Sequence, residues 1–304
     1  MITHDFHGAD HFILYLDGGP TVLKGFEGGN VRGTVAAAGA GPGDLPTKNI
    51  SALKFEPVVI KTGISMGKSL REWIGATLDQ INTRKSGYIV AGNADGKAIA
   101  FRHFRDALIT DITIPDLDAT CEDKAFLIIK FDPEEITYMD GDKSVLAGVI
   151  NTRNKQWLCS NFRMRLGDLP CKHVSKIDAF TIKQVIVPET TGDFRVSGRE
   201  VAKLEIPNLK VTFSAADSEP WAAWFDEFVV KGHNSQDKEL SGVIEFLDTG
   251  GTEVLGSIDL RQVGIFSLSL EKSEEASKET HMAGVSHRVA ELYVEKMGIH
   301  FLNV

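Results

Sequence analysis

The chain has 304 residues, of which 42% are hydrophobic and 25% are charged. This composition is ordinary for a folded protein and excludes wholesale disorder. Lys and Arg number 33 against 42 Asp and Glu, which gives a formal net charge of -9. That balance argues against a protein that grips nucleic acid through clustered cations. It does not argue against a surface past which DNA slides without sticking.

The N-terminus and the cysteines bear on compartment and cofactors. No apolar run is long enough to span a membrane, and residues 1–7 do not resemble a signal peptide. Residues 4–11 include several potential metal ligands, but no helix would align them, so we expect a solvated arm. Cys121, Cys159 and Cys171 are scattered and form no C-x-x-C pair. We therefore expect a reducing compartment, no disulfide framework, no metal and no cofactor.

The first predicted strand has a counterpart in the middle of the chain. Apolar residues alternate along Phe12–Leu16, and the same alternation recurs along Phe162–Leu166. Such alternation is typical of a half-buried β-strand. This match is the first sign of an internal repeat.

A long insert interrupts the first half. Gly33 to Thr47 is rich in glycine and alanine and contains two prolines. This composition predicts neither a core strand nor a stable helix, and a long loop in a compact domain is usually functional or disordered. Residues 189–198 stand at the equivalent place in the second half. The two segments together predict a protruding hairpin shared by both halves.

An amphipathic helix is predicted next in each half. Leu70 and Trp73 begin an apolar stripe at i, i+3, i+4 and i+7, and Trp221, Trp224 and Phe228 lie on a stripe of the same spacing. Each stripe defines one face that packs onto a sheet. We expect these five residues to form the helix part of the core.

Three further predicted features recur in the same order in both halves. The first is a hairpin with Gly and Asx residues in its turn, which tolerate positive φ. Two closing strands follow. The pairs are residues 86–101 with 241–255, 108–114 with 265–270, and 126–138 with 290–301.

The recurrence predicts a tandem duplication with domains at 1–145 and 155–304. Each domain is close to the usual domain length. The predicted class is mainly β (α+β), with two tandem barrel or sandwich units that each carry one amphipathic helix.

The ordered set resembles the tube-forming proteins of contractile injection machines. Lys54–Ser65, which leads into the first helix, resembles the strand that precedes the helix in this family, and Phe126–Tyr138 resembles its closing strand. The family includes tail tube proteins of contractile phages, related extracellular injection systems and the Hcp ring protein of type VI secretion. The resemblance covers both halves.

The resemblance implies a structural protein rather than an enzyme. Its partners would be itself, in trimeric or hexameric stacked rings, then sheath and baseplate proteins, with DNA or an effector protein as cargo in the lumen. Its place would be a virion tail or injection particle assembled in the host cytoplasm. Because tube subunits commonly hold one unit, the duplication also suggests a trimeric baseplate hub or tube initiator. A secreted Hcp-like carrier ring is the third alternative.

The resemblance also implies the size of the ring. If six units each lend four strands, about 24 strands at about 4.8 Å spacing and about 40° tilt give a circle of roughly 48 Å diameter. The polar positions of the strands would face this lumen, or else bulk water. The candidate lumen residues are Asp111, Thr113, Ser267, Ser269 and Glu271.

The glycine-rich insert is the candidate contact between stacked rings, unless its tip is disordered. Its sequence around Gly39 superficially suggests a dinucleotide-binding loop, but Asp44 replaces the last glycine and Pro42 blocks the helix that must follow. The candidate ring-stacking residues are Ala38, Gly39, Gly41, Pro42, Gly43 and Leu45.

Overall fold

The computed structural model describes residues 9–17, 19–40, 46–146, 155–188, 199–270 and 286–302. These residues are mainly β, as the alternating apolar patterns predicted. Buried side chains from both halves join in one contiguous hydrophobic core. The mainly-β class is therefore confirmed.

In the first half, six strands close a barrel. The order around it is β1, β2, β5, β9, β7, β6 and back to β1, with every pair antiparallel. The elements of this half are β1 (His11–Leu16), β2 (Gly19–Gly28), β3 (Val31–Ala40), β4 (Pro46–Phe55), β5 (Val58–Thr62), α1 (Lys68–Leu78), β6 (Lys85–Gly92), β7 (Ala98–Ile114), β8 (Leu117–Asp118), β9 (Leu127–Asp132) and β10 (Glu135–Asp140).

In the second half, the corresponding strands form an open sheet in the same order. It runs β11, β16, β17, β18, β15, β12, and short β8 from the first half lies beside β12. The pairing that closes the first barrel, β1 with β2, has no counterpart among the described strands of this half. The elements are β11 (Phe162–Leu166), β12 (Val174–Ile177), β13 (Phe180–Pro188), β14 (Arg199–Glu205), β15 (Leu209–Ser214), α2 (Ser218–Phe225), a π-helical turn (Asp226–Val230), β16 (Leu240–Leu247), β17 (Val254–Leu270) and β18 (His287–Phe301).

β7 and β17 are each one continuous strand of 17 residues. The sequence predicted two separate strands in each place, and that prediction was wrong. Asp106 at φ 49° lies in a bulge of β7 opposite the start of β6, and Gln262 at φ 55° lies in a bulge of β17 opposite the start of β16. A bulge bends a strand without ending it, so the polar residues that suggested a strand end mark a bend.

Glycine is required at one matched position in the two halves. A Cβ on Gly87 of β6 would lie 2.3 Å from the carbonyl oxygen of Tyr15, and one on Gly242 of β16 would lie 2.4 Å from that of Arg165. Neither distance leaves room for a side chain. β6 and β16 thus each approach the first strand of their own half at backbone contact.

The glycine-rich insert is more regular than its composition indicated. β3 and β4 form a two-stranded antiparallel ribbon that includes Gly33 and much of the alanine run. Small residues do not prevent a backbone ladder, although they contribute little packing. β13 and β14 form the corresponding hairpin in the second half.

Candidate functional site

Eight antiparallel strands from two sheets follow one another across both halves, and we call this series the wall. Its first four strands are β2, β5, β9 and the C-terminal part of β7. Its last four are β12 with its continuation β13, then β15, β18 and β17. At the centre, β7 pairs with β13, and β8 pairs with β12. Each half therefore supplies four strands to the wall.

The central joint of the wall is a strand pairing reinforced by side chains. Residues 180–183 of β13 lie opposite residues 114–111 of β7. The hydroxyl oxygens of Thr181 and Thr113 are 2.8 Å apart. Beyond this ladder, the Gln184 side-chain amide donates to the carbonyl of Ile109 at 2.7 Å, and Gln184 is only 6% exposed. A buried amide is costly to leave unpaired, so this bond fixes the position of β13.

The base of β14 is anchored on the turn between β9 and β10. The Arg199 guanidinium lies 2.8 Å from the carboxylate of Asp132 and donates to the carbonyl of Pro133 at 3.2 Å. Arg84, which pairs with Glu134, donates to the carbonyl of Arg199. Burial raises the pKa of the Asp132 carboxyl, and the neighbouring Arg199 opposes that rise. The second hairpin is thus bound to the first half along its base.

Four of the candidate lumen residues share the outer face of the wall. Asp111 and Thr113 alternate along β7 with core residues, and Ser267 and Ser269 occupy the corresponding places on β17 after a bulge at the same point. Glu271 lies outside the described residues. That these side chains line a lumen stays a prediction.

The outer face also carries lysines that the sequence analysis did not single out. Lys130 of β9 lies opposite Asp111, with its Nζ 3.5 Å from the carboxylate, and Lys183 of β13 lies opposite Asp111 on the other side. In the second half, Lys210 of β15 lies opposite Glu291 of β18. The alternation of these lysines with apolar residues was the available signal. The face therefore carries both signs of charge side by side.

Helix α1 lies between the two halves. Leu70 and Trp73 are fully buried, and the Trp73 ring centre is 5.4 Å from that of Phe131. On another side, the helix packs against β18, and Arg71 donates to the carbonyl of Leu302 at 3.3 Å. α1 thus contributes to the joint as well as to its own barrel.

Helix α2 covers its own sheet but is less enclosed. Trp221 is fully buried and stacks on Phe213 at 4.6 Å, and Phe228, in the π-helical turn, is 3% exposed. Trp224 is half-buried, with its ring centre 5.9 Å from that of Phe228. All five predicted helix residues therefore lie on the sheet-facing side, with Trp224 at its margin.

The candidate ring-stacking residues lie at the far end of the ribbon or beyond it. Ala38 and Gly39 belong to β3, next to its end at Ala40. Gly41, Pro42, Gly43 and Leu45 lie outside the described residues. The stacking role stays a prediction.

Comparison with known proteins found no matching family profile and no matching curated protein. Among solved structures, a chain in the cryo-EM structure of the anti-feeding prophage cap is 22% identical, with a TM-score of 0.37 over 42% of this chain and 87% of that chain. A chain in the sheath-tube complex of the PVC extracellular contractile injection system is 20% identical, with a TM-score of 0.37 over 42% of this chain and 88% of that one. A chain in the 6-fold symmetrised anti-feeding prophage baseplate is 12% identical, with a TM-score of 0.34 over 47% of this chain and 93% of that one.

The cysteines are free thiols in the structure. Burial, followed by the influence of neighbouring Cys121, raises the pKa of Cys159 to about 11, and burial raises that of Cys171 to about 11 as well. Within the described ranges, no group of three or more metal-ligating side chains comes together. No described helix is both long enough and apolar enough to cross a bilayer.

Proposed function

We propose that the chain is a structural subunit of a phage tail or contractile injection particle, where it builds rings with a hollow lumen. The observation that carries this proposal is the wall, which passes from one half to the other through a strand pairing. Free sheet edges invite further pairing, and a layer extended edge to edge around a circle removes them. The resemblance of the sequence to tube-forming proteins points to the same role.

We further propose that the chain is a tandem duplication of one tube-type unit. The two halves share their strand order, and both carry a left-handed residue in the bulge of the long strand. A ring of six units then needs three chains and about 24 wall strands, which corresponds to a backbone circle of roughly 48 Å diameter. That width admits duplex DNA or a small folded protein.

In this proposal the chain has no catalytic role, and its partners are its own copies, sheath and baseplate proteins. The outer face of the wall would line the lumen. Charge alternates across three neighbouring strands, at Lys130, Asp111 and Lys183. A polyanion passing through the lumen therefore meets no uniformly positive surface to which it would bind. The particle would be assembled in the host cytoplasm.

A trimeric baseplate hub or tube initiator is the second candidate. It is favoured by the difference between the two halves, since the first is a closed barrel and the second an open sheet with β8 at its edge. Three chains would present this difference three times around a ring. A three-fold element at the end of a tube matches this alternation of closed barrel and open sheet. In a long tube, every ring would repeat the alternation, although identical units would suffice.

Negative-stain electron microscopy of the purified chain over a concentration series tests both candidates. Long hollow rods support the tube subunit, and discrete three-fold rings support the hub or a carrier ring. Size-exclusion chromatography with light scattering gives the number of chains in each species. Monomers that form neither rods nor rings up to high concentration would overturn the proposed function.

A further inference from the structure

We infer that the β3–β4 ribbon of one copy adds to the free edge of β17 in the next copy, and thereby repeats between chains the joint that β13 makes with β7 within one chain. The inference rests on the proposed function and deepens it by naming the two surfaces and their register. A second copy is the occupant of both surfaces.

The ribbon and the docked hairpin have the same internal geometry. Arg32 lies opposite Lys54 in the ribbon, and Lys183 lies opposite Glu205 in the hairpin. Each then carries a bulge two residues further on, where Ser51 of β4 has no partner in β3 and Ala202 of β14 has none in β13. The corresponding residues are separated by one constant offset. The two elements are therefore equivalent, and a surface that accepts one fits the backbone of the other.

The ribbon differs from the hairpin in what covers it. β3 pairs with β4 and with no other described strand, whereas β13 also pairs with β7. Val35 is 64% exposed, Ile50 72% and Leu53 67%. Large apolar side chains held this far into water on a two-stranded ribbon mark an interaction surface. Their equivalents on the docked hairpin, Ile186, Val201 and Leu204, are half-buried.

The end of β17 shows the complementary difference. On the β16 side, its pairing stops at Val263, and no described strand continues along that edge. On β7, the equivalent edge is filled by β13, and there Ile112 is 1% exposed and Ile114 fully buried. Their equivalents on β17 are Leu268, which is half-buried, and Leu270, which is 57% exposed. The edge of β17 thus lacks the neighbouring strand that β13 provides to β7, and the ribbon can supply such a strand.

Superposing the internal joint on this edge fixes the register. Asn30–Arg32 lie antiparallel to Ser267–Ser269, so that Asn30 faces Ser269 where Thr181 faces Thr113 inside the chain. The Asn30 side-chain amide donates to the carboxylate of Glu56 in its own chain at 2.8 Å. Its second N–H and its oxygen can still hydrogen-bond to the Ser269 hydroxyl across such a pair. Arg32, which pairs with Glu56 of its own chain, lies opposite Ser267. The contact joins different surfaces of the two copies, so it is heterologous and forms a closed ring if its rotation closes.

A cysteine pair across the inferred joint tests the register. A full-length chain that carries both Asn30→Cys and Ser269→Cys is assembled, oxidised and then analysed on a non-reducing gel. We expect a ladder of disulfide-linked species that ends at three chains, because the third bond closes the ring. Asn30→Cys with Ser267→Cys is the shifted control, and we expect it to cross-link at least about tenfold more slowly, since its Cβ atoms are too far apart.

Thr113→Cys with Thr181→Cys is the positive control, because it places the same geometry within one chain. It should give a single oxidised monomer. Rods or rings that form without the predicted cross-link would overturn this inference and leave the proposed function standing, as would a ladder that continues past three chains or one favoured by the shifted pair. Failure of the unmodified chain to assemble would overturn both.

A charge on the free edge provides an independent test. Leu270→Lys places an ammonium group where the ribbon must pack, and we expect it to abolish rings while leaving the unfolding midpoint of the single chain unchanged. Ile81→Lys is the matched control, since Ile81 is 58% exposed and lies after α1, outside the wall. Equal assembly of both variants would overturn the inference.

Discussion

The docked hairpin and the free ribbon have the same register and the same bulge, yet one is embedded in the molecule and the other projects from it. Ile182 of β13 is 1% exposed, whereas its equivalent Val31 in β3 is only half-buried. The C-terminal ends of β7 and β17 also differ in exposure, since Ile114 of β7 is fully buried and Leu270 of β17 is 57% exposed. Elements at the internal joint are covered, and their counterparts at the two ends of the wall are not.

This comparison shows that the two halves differ less in their own folding than in their neighbours. Backbone geometry is set locally by alternation, glycine positions and bulges, so it recurs in both halves. Burial of the hairpins, the strand ends and the helices is set by what lies beside them. Substitutions at matched positions can separate these two contributions.

The largest difference is expected at the helices. Trp73→Ala should reduce the free energy of unfolding by about 3–5 kcal/mol, because it removes a fully buried ring at the joint. Trp224→Ala should cost only about 1–2 kcal/mol, because that ring is half-buried. Urea denaturation followed by circular dichroism measures both. Equal losses would mean that the two helices are equally enclosed.

The hairpins should differ by a slightly smaller amount. Ile182→Ala should cost about 3 kcal/mol, since it leaves a cavity between β13 and the first half. Val31→Ala should cost less than about 1 kcal/mol in the unassembled chain. Thermal unfolding at low protein concentration, where chains are separate, gives the comparison. A loss at Val31 as large as that at Ile182 would show that the ribbon is already covered within one chain.

The buried amide of the joint gives an effect of intermediate size. Gln184→Leu keeps the side-chain volume but removes the donor to the carbonyl of Ile109, and should cost about 1–3 kcal/mol. Val187→Leu is a control on the same strand, because Val187 is 41% exposed and its change should be nearly neutral. Hydrogen exchange of β13 amides should accelerate in the Gln184 variant alone. Unchanged exchange would argue against the fixing role of this bond.

The smallest effect on stability is expected at the cysteines. Because the pKa of Cys159 and of Cys171 is raised to about 11, both are neutral at pH 8. Modification by a thiol-specific reagent at pH 8 should be about 100-fold slower than for a free thiol, and urea should restore the ordinary rate. The stability that the neutral thiols provide is complete below about pH 9 and decreases as the pH rises toward 11. Rapid modification of both thiols in the folded chain would contradict this.

Much of the local structure could be predicted from the sequence. The alternation along Phe12–Leu16 and Phe162–Leu166 and the aromatic spacing around Trp73 and Trp221 identified strands and helices, because a half-buried element leaves its period in the sequence. The continuity of β7 could not be predicted, since Asp106 in its bulge has the polar character of a strand end. The insert was predicted as a protruding hairpin but without strand bounds, because alanine and glycine carry no apolar alternation.

The candidate site could be predicted only in part. Polar positions such as Asp111 and Ser267 follow from alternation, and Lys130 follows from the same alternation along β9, although it was not singled out. The pairing of β13 with β7 could not be predicted, because the sequence of a strand does not determine which other strand pairs with it. The exposed apolar residues of the ribbon were missed for the same reason, as exposure depends on neighbours far away in the sequence.

β7 also has a mechanical consequence. At about 3.3 Å per residue, its 17 residues extend for roughly 56 Å. Its first part is flanked by β6 and β10 and its last part by β9 and β13. A pull along this strand therefore loads many backbone hydrogen bonds in shear at once, rather than opening them one by one. The two halves cannot slide past each other while β7 stays paired with β9 on one side and with β13 on the other.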